Sequence, residues 1–354
     1  MSDIKVNKIK SLNGTNGPEI SGIVEMNSTG AMTLPRGNTA YRGGRGRGVF
    51  GGGYDGGSPW VTINTIDYVT IASLGNAHDF GDLSEKRSAK GGGSSATRGC
   101  FIAGRFPSAP SIQNVIDYIE IQSTGNAMDF GDLIHSGIPN QKGTSNQIRS
   151  VYGGGYINPG SNLHVNSIGY FTIATKGNSS DFGSFALFGR KQFSGSNGTR
   201  GIFAGNRGAN PGSPGVNTNN IEYVTLMSIG NAQDFGDLSE IRIQSNGSMT
   251  SSTRMVMQGG INPSAVNTMD YITMASTGDA IDFGDVSTTV REISSSTSSP
   301  TRGVFNTGSE GGGTTNNAIE YVTISTLGNS QDFGDLTSAR GVAGSVSDSH
   351  GGLG

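Results

Sequence analysis

Residues 319–336 read Ile-Glu-Tyr-Val-Thr-Ile-Ser-Thr-Leu-Gly-Asn-Ser-Gln-Asp-Phe-Gly-Asp-Leu, and close variants of this phrase occur six times along the chain. The other five begin at Ile66-Asp67-Tyr68, Ile116-Asp117-Tyr118, Ile168-Gly169-Tyr170, Ile221-Glu222-Tyr223 and Met269-Asp270-Tyr271. The tyrosines are 50, 52, 53, 48 and 50 residues apart. About ten residues after each comes Asp-Phe-Gly, starting at Asp79, Asp129, Asp181, Asp234, Asp282 and Asp332. An arginine precedes a short apolar pair in the same period, at Arg47, Arg98, Arg149, Arg200, Arg254 and Arg302. Three markers in one period of about 50 residues define a repeat architecture.

Each unit holds four strand-like segments. The tyrosine segment is rich in β-branched and aromatic residues and apolar on both faces, which suits a strand covered on both sides. A Gly-Asn or Gly-Asp pair follows it, as at Gly75-Asn76, and supplies the positive φ of a tight hairpin. The Asp-Phe-Gly strand comes next, then a Ser/Gly-rich strand, then the Arg-Gly-Val-Phe strand. No segment shows a helical period. Small side chains on one strand of four fit the crowded axis of a β-propeller. Ser94, Ser95, Ala96, Ser194, Gly195, Ser196, Thr250, Ser251 and Ser252 fit that innermost strand. In the order Ser/Gly (a), Arg (b), Tyr (c), Asp-Phe-Gly (d), the first unit begins at b. The last is followed by a spare a-like segment, residues 340–347, which should pair with strand b of the first unit and remove an open edge. The expectation is an all-β, six-bladed propeller over residues 35–354, closed by the C-terminal strand, with a separate β-rich segment at 1–34.

Composition bounds the rest. Of 354 residues 59 are glycine, only 14% are charged, and the net charge is -3. Eleven prolines and no three-residue glycine period exclude collagen. Cys100 stands alone, so there is neither a disulfide framework nor a cysteine metal site. His78, His135, His164 and His350 lack metal-ligand spacing. No apolar run is long enough to span a membrane, and the N-terminus lacks a signal peptide's apolar core. A charge near zero argues against general nucleic-acid binding. Residues 1–50 are nonetheless basic, with seven Lys/Arg against three Asp/Glu, which fits docking to an acidic partner surface.

Motifs with chemical associations have a simpler reading here. Asp-Phe-Gly occurs six times without the other kinase motifs. Its Phe is expected to fill the space between blades, and its flanking Asp residues to accept bonds from backbone amides or from the recurring Arg. The glycine clusters lack the P-loop Gly-Lys-Ser/Thr ending and are expected to be turns. Arg42-Gly43-Gly44-Arg45-Gly46-Arg47 looks like an RNA-binding segment, but Arg47 is in phase with the other repeat arginines and is expected to start a strand. Nothing supports a glycosidase pair or a copper site.

The connections between b and c vary most, and all should emerge on one face. Those of units one, three and four carry Tyr54, Trp60, Tyr156, His164 and Arg207. Aromatic rings among Asn and Ser suit a sugar-binding surface. The same rings could fold back and pin their own loops. No cofactor or metal is expected.

The order of elements resembles the kelch repeat. Gly51-Gly52-Gly53 and Gly153-Gly154-Gly155 hold the glycine position, eroded to Ala-Gly in units two and four, and Phe80, Phe130, Phe182, Phe235, Phe283 and Phe333 hold the strand-d aromatic, where Trp is usual. The combined phrase of residues 319–336, with Ile4-Lys5-Val6-Asn7-Lys8-Ile9 and Thr33-Leu34-Pro35-Arg36-Gly37, resembles virion proteins of tailed phages, notably of marine bacteria. That resemblance implies a non-enzymatic virion structural protein, a tail or neck fibre or a head decoration, made in the host cytoplasm. It would attach to other virion proteins through residues 1–34, stand in the particle as an oligomer or in many copies, and present its propeller to a host-surface glycan. A free, lectin-like propeller and an enzyme are the readings from other classes.

Overall fold

The tyrosine phrase becomes the third strand of six four-stranded antiparallel sheets. The structure, a computed structural model, describes residues 25–26, 32–33, 46–56, 61–88, 91–104, 114–134, 142–157, 163–208, 216–243, 247–290, 295–308, 315–341 and 343–353. Blade 1 combines strand a Gly344–Ser347 with b Arg47–Gly51, c Thr65–Thr70 and d His78–Asp82. The strands of blade 2 are Gly91–Ser94, Arg98–Ile102, Val115–Glu120 and Met128–Asp132. Blade 3 uses Lys142–Ser145, Arg149–Gly153, Ser167–Thr172 and Ser180–Ser184. In blade 4 they are Arg190–Ser196, Arg200–Arg207, Thr218–Thr225 and Gln233–Asp237. Blade 5 has Ser248–Thr250, Arg254–Ile261, Ala265–Thr273 and Ile281–Val290, and blade 6 Ser295–Ser298, Arg302–Asn306, Ala318–Thr323 and Gln331–Asp335. The arrangement is a six-bladed β-propeller, as the repeat predicts. Closure also follows the prediction, with Gly344 opposite Gly51 and Ser347 opposite Gly48. Of residues 1–34, only a two-stranded pairing of Glu25–Met26 with Met32–Thr33 is described.

The register fixes two faces. Arg47 lies opposite Thr70, so strand b begins at the end where c turns into d. The a–b and c–d turns therefore share one face, the turn face. The b–c loops and d–a links share the other, the loop face. The chain joins the propeller at Gly46, on the turn face of blade 1, where its carbonyl accepts from Ile71 N. In blade 5 the b–c loop shortens to a hairpin at Asn262 to Ser264, and b, c and d run on as a longer sheet.

Apolar layers fill the seams between blades. Phe80 of blade 1 packs with Phe101, Ile119 and Ile121 of blade 2, as predicted for the Asp-Phe-Gly aromatic. Each recurring arginine does two things at once. Arg47 lies over the ring of Tyr68, 4.4 Å from its centroid. Its Nη1 donates to Ile121 O of the next blade at 2.8 Å. The same pair of contacts recurs at Arg98, Arg149, Arg200, Arg254 and Arg302. Arg47 thus starts a strand, as its phase predicts.

The expected role of the Asp residues beside Phe is corrected. They do not bond the recurring Arg, which is committed to Tyr and to carbonyls. The backbone of strand d carries the contact instead. Phe80 O accepts from Gly125 N, Asp82 O accepts from Ala127 N, and Asp82 N donates to Asn126 Oδ1. The Gly-Asn pair is therefore more than a hairpin turn, because it docks on the free edge of the preceding blade. At Gly81, φ is +145°, and a Cβ would stand 2.5 Å from Gly125 O. Only glycine allows that approach. The contact repeats at all six seams, including Gly75-Asn76 of blade 1 on Phe333 and Asp335 of blade 6. Part of every outer strand edge is thereby covered, which blunts the template for edge-to-edge association.

Candidate functional site

Three places concentrate polar chemistry: the axis, the seams and the loop face.

On the axis the inner strands form a hydroxyl belt. Ser196 Oγ donates to Ser145 O, Ser145 Oγ to Ser94 O, Ser94 Oγ to Ser347 O, and Ser347 Oγ to Ser298 O, at 2.6–2.9 Å. Each bond joins one blade to a neighbour. Small hydroxylic residues are needed here because the strands converge, and the donors of these four serines are committed to the neighbouring carbonyls. The remaining space, lined by these strands and His350, has a volume of about 80 Å3, room for roughly five to eight waters. Residues 348–353 cross its turn-face end. Asp348 Oδ1 accepts from Arg47 N, Asp348 Oδ2 accepts from Gln122 Nε2, and Gly351 N donates to Thr250 Oγ1. His350 is enclosed there. Its Nδ1 accepts from Gly352 N at 3.1 Å, which leaves Nε2 as the donor to Ser94 O at 3.0 Å. Burial without a carboxylate partner pushes its pKa down to about 4.

In four blades the acid before the repeat tyrosine is buried and met by a cation on the chain entering the same blade, whereas Glu320 of blade 6 is bonded by the hydroxyls of Ser287 and Ser330. Arg87 pairs with Asp117 at 2.9 Å and Arg242 with Asp270 at 2.8 Å, all four side chains fully buried. Arg340 pairs likewise with Asp67, and Lys191 with Glu222. A hydroxyl from the preceding blade completes three of them: Ser84 on Asp117, Ser239 on Asp270 and Thr337 on Asp67. In blade 3, Gly169 replaces the acid and the Tyr152 ring fills its place. The Tyr152 hydroxyl bonds Ser179 Oγ, and burial pushes its pKa up to about 12. Each acid is bonded to its cation and the pair is shut away from solvent, so the pairs are structural. Cys100 is likewise buried, and its thiol is pushed up by desolvation. Among the described residues no group of three or more His, Cys, Asp or Glu could hold a metal ion.

On the loop face the structure brings some sequence candidates together. Tyr54 is only 8% exposed, so it is not a free ring for stacking. Its backbone pairs with Gly341 in both directions, and its ring covers Gly341, tying the first b–c loop to the link ahead of the closing strand. Trp60 lies outside the described residues. Tyr156–Ile157 and Leu163–His164 form a short ribbon in which Tyr156 stands opposite His164. The His164 imidazole lies over Gly208, where a Cβ would meet its ring at 2.2 Å. Arg207 is the neighbour of Gly208 and stands directly opposite Arg190 in the ladder of blade 4. Tyr156, His164 and Arg207 therefore meet at the corner between blades 3 and 4, and Arg190 joins them. The sequence reading missed Arg190. Its only signal was the Arg-Lys pair at 190–191 ahead of the Ser/Gly-rich strand.

Compared with protein-family models and with curated proteins, the chain matches none.

Proposed function

We propose that the protein is a non-enzymatic display scaffold of a phage virion: the propeller is held through residues 1–34 on the side of its turn face, where the chain enters at Gly46, and presents its loop face outward for attachment to a host surface. One observation carries this reading. The turn face repeats the same Gly-Asn and Arg-Tyr contacts in all six blades, and the chain from residues 1–45 joins there. The b–c connections of the loop face vary in sequence between blades, and the described ones include the three-residue hairpin of blade 5 and the ribbon of blade 3. A rigid body with one uniform and one variable face suits a molecule anchored on one side and selective on the other. Four of the buried acids before the repeat tyrosine are neutralised in pairs inside the blades rather than poised in a cleft, which favours binding over catalysis.

The test is incorporation. Purified particles should contain the full chain at a fixed ratio to their major protein. A 35–354 chain should melt like the intact propeller and be absent from particles. Incorporation of 35–354 at the full ratio would refute the anchoring role, and absence of the intact chain from particles would refute the virion reading.

A further inference from the structure

The chain's own end closes the axial space on the turn face. Strand a of blade 1 stops at Ser347, and residues 348–353 then turn across the axis and touch blades 1 to 5. Asp348 accepts from Arg47 N of blade 1 and from Gln122 Nε2 of blade 2. His350 reaches Ser94 O of blade 2, and Gly351 N donates to Thr250 Oγ1 of blade 5. Gly352 lies so close to Ser145 O of blade 3, and Gly351 to Ser196 O of blade 4, that a Cβ at either position would clash with backbone. Two successive glycines are what let the tail seat. The seat is almost wholly polar, with Leu353 the one large apolar side chain of the tail. The closing strand does not depend on it. Gly344–Ser347 is held by four ladder pairs on strand b and by the hydroxyls of Ser345 and Ser347 on blade 6. The tail can therefore leave its seat with the ring still closed.

The seat fits one protonation state of one residue. His350 Nδ1 accepts from Gly352 N and Nε2 donates to Ser94 O, so a second ring proton would point at an N–H. No counter-charge meets that proton among the described residues. The blades packed against the tail present hydroxyls and carbonyls, those of Ser94, Ser145, Ser196, Thr250 and Ser251. The Asp348 carboxylate is engaged by Arg47 N and Gln122 Nε2, and the Arg47 guanidinium by Tyr68 and Ile121 O. Lys142 begins strand a of blade 3 at the opposite, loop-face end of the space. We infer that residues 349–353 are an acid-released plug: neutral His350 seats them in the turn-face end of the axis, and its protonation frees them, opening the axial space to that face while the six blades stay assembled. A charge in this seat is relieved by moving a few residues rather than by unfolding a ring whose strength lies in its seams, and local opening of that kind is the lower-energy route. The inference depends neither on the particle nor on what the loop face recognises.

The experiment is hydrogen exchange of the full chain, read by mass spectrometry at pH 7.5, 6.5, 5.5 and 5.0, with and without dilute urea, and corrected for the intrinsic effect of pH on exchange. The peptide over residues 348–354 is compared with one over strand b of blade 1. The tail should be protected at pH 7.5, yet open more readily than the strand and by a route that dilute urea does not promote. Its opening constant should rise about 30-fold from pH 7.5 to pH 5, the ratio set by a ring that titrates at about 4 when seated and at 6.5 when free. His350→Gln, whose amide can both donate and accept, should abolish the rise; a melting curve confirms that the variant is folded. Equal opening constants and equal urea dependence for tail and strand would show that the tail leaves only when the propeller unfolds, and overturn the inference. A tail unprotected at pH 7.5 overturns the seat. An opening constant that does not change with pH in the unaltered chain, or an undiminished rise in His350→Gln, overturns the switch.

Discussion

Acidification from pH 7.5 to pH 5 should destabilise the propeller through one residue, His350. In the folded chain its Nδ1 accepts from Gly352 N and its Nε2 donates to Ser94 O, so the neutral ring satisfies both contacts. A proton on Nδ1 would face an N–H donor. The buried ring titrates near 4, against an ordinary value of 6.5. Below 6.5 the unfolded chain binds the proton and the folded chain does not, so stability is fully present above pH 6.5 and falls as pH drops toward 4. The limit is a gap of about 2.5 units, or about 3 kcal/mol, of which about 2 kcal/mol is lost by pH 5. Asp348 lies on the same segment, and Lys142 on the channel wall; other side chains lining the space are Ser, Thr, Ala and Val. The assay is urea unfolding at pH 7.5, 6.5, 5.5 and 5.0 for the intact chain and for His350→Gln, whose amide can both donate and accept. The variant should lose about 2 kcal/mol less over this range. Parallel pH profiles for the two proteins would refute the reasoning, because the remaining histidines and carboxylates are common to both.

Two further outcomes are expected. Asp270→Asn leaves the Arg242 guanidinium buried without its counter-charge and should cost about 3–5 kcal/mol in chemical denaturation, whereas the double change Arg242→Met, Asp270→Leu should cost much less; similar losses for both would show that the pair does not act as a unit. Ending the chain at residue 342 removes strand a of blade 1 together with the hydroxyl bonds of Ser345 and Ser347, and should lower the melting temperature well beyond the effect of deleting residues 1–17; equal melting temperatures would show that the strand does not close the ring.

The repeat was legible because its markers are each demanded once per blade by the same geometry. Tyr68 and its five counterparts must lie under an arginine, and Phe80 and its counterparts must fill a seam. Closure was legible because counting strands leaves residues 340–347 over. The seam ion pairs were not legible, for a physical reason. Their requirement is a cation near a buried acid, and different chemistry meets it in different blades: Arg87, Arg242 and Arg340 in the d–a links, Lys191 on a strand, and Tyr152 where Gly169 leaves space. Interchangeable solutions leave no periodic letter. The second role of Gly75-Asn76 was hidden because its partners, Phe333 and Asp335, lie at the far end of the chain. Of the candidate ligand residues, spacing placed Tyr54 on a loop, but its burial on Gly341 depends on a contact that only the closed ring creates.

The seams also explain how the loop face can vary. Stability in a stacked repeat resides in contacts between neighbours. Here those contacts lie in the blade bodies and on the turn face: the apolar layer, the arginine over its tyrosine, the buried acid, and the three edge bonds made by each Gly-Asn turn. The b–c loop residues add contacts of their own to the links between blades, such as Gly53 N to Arg87 O, Gly155 N to Gly189 O, Tyr54 on Gly341 and His164 on Gly208, but the turn-face bonds do not pass through them. A change in loop length at the blade 3/4 corner therefore leaves the seam bonds of Phe182 and Ser184 to Gly230 and Ala232 in place. The same uncoupling lets two arginines stand opposite each other at Arg190 and Arg207. The cost of a like-charge pair is on the order of 1 kcal/mol or less, small against the ring of seam contacts that carries the fold. Such a cost is tolerable where the scaffold is secured elsewhere.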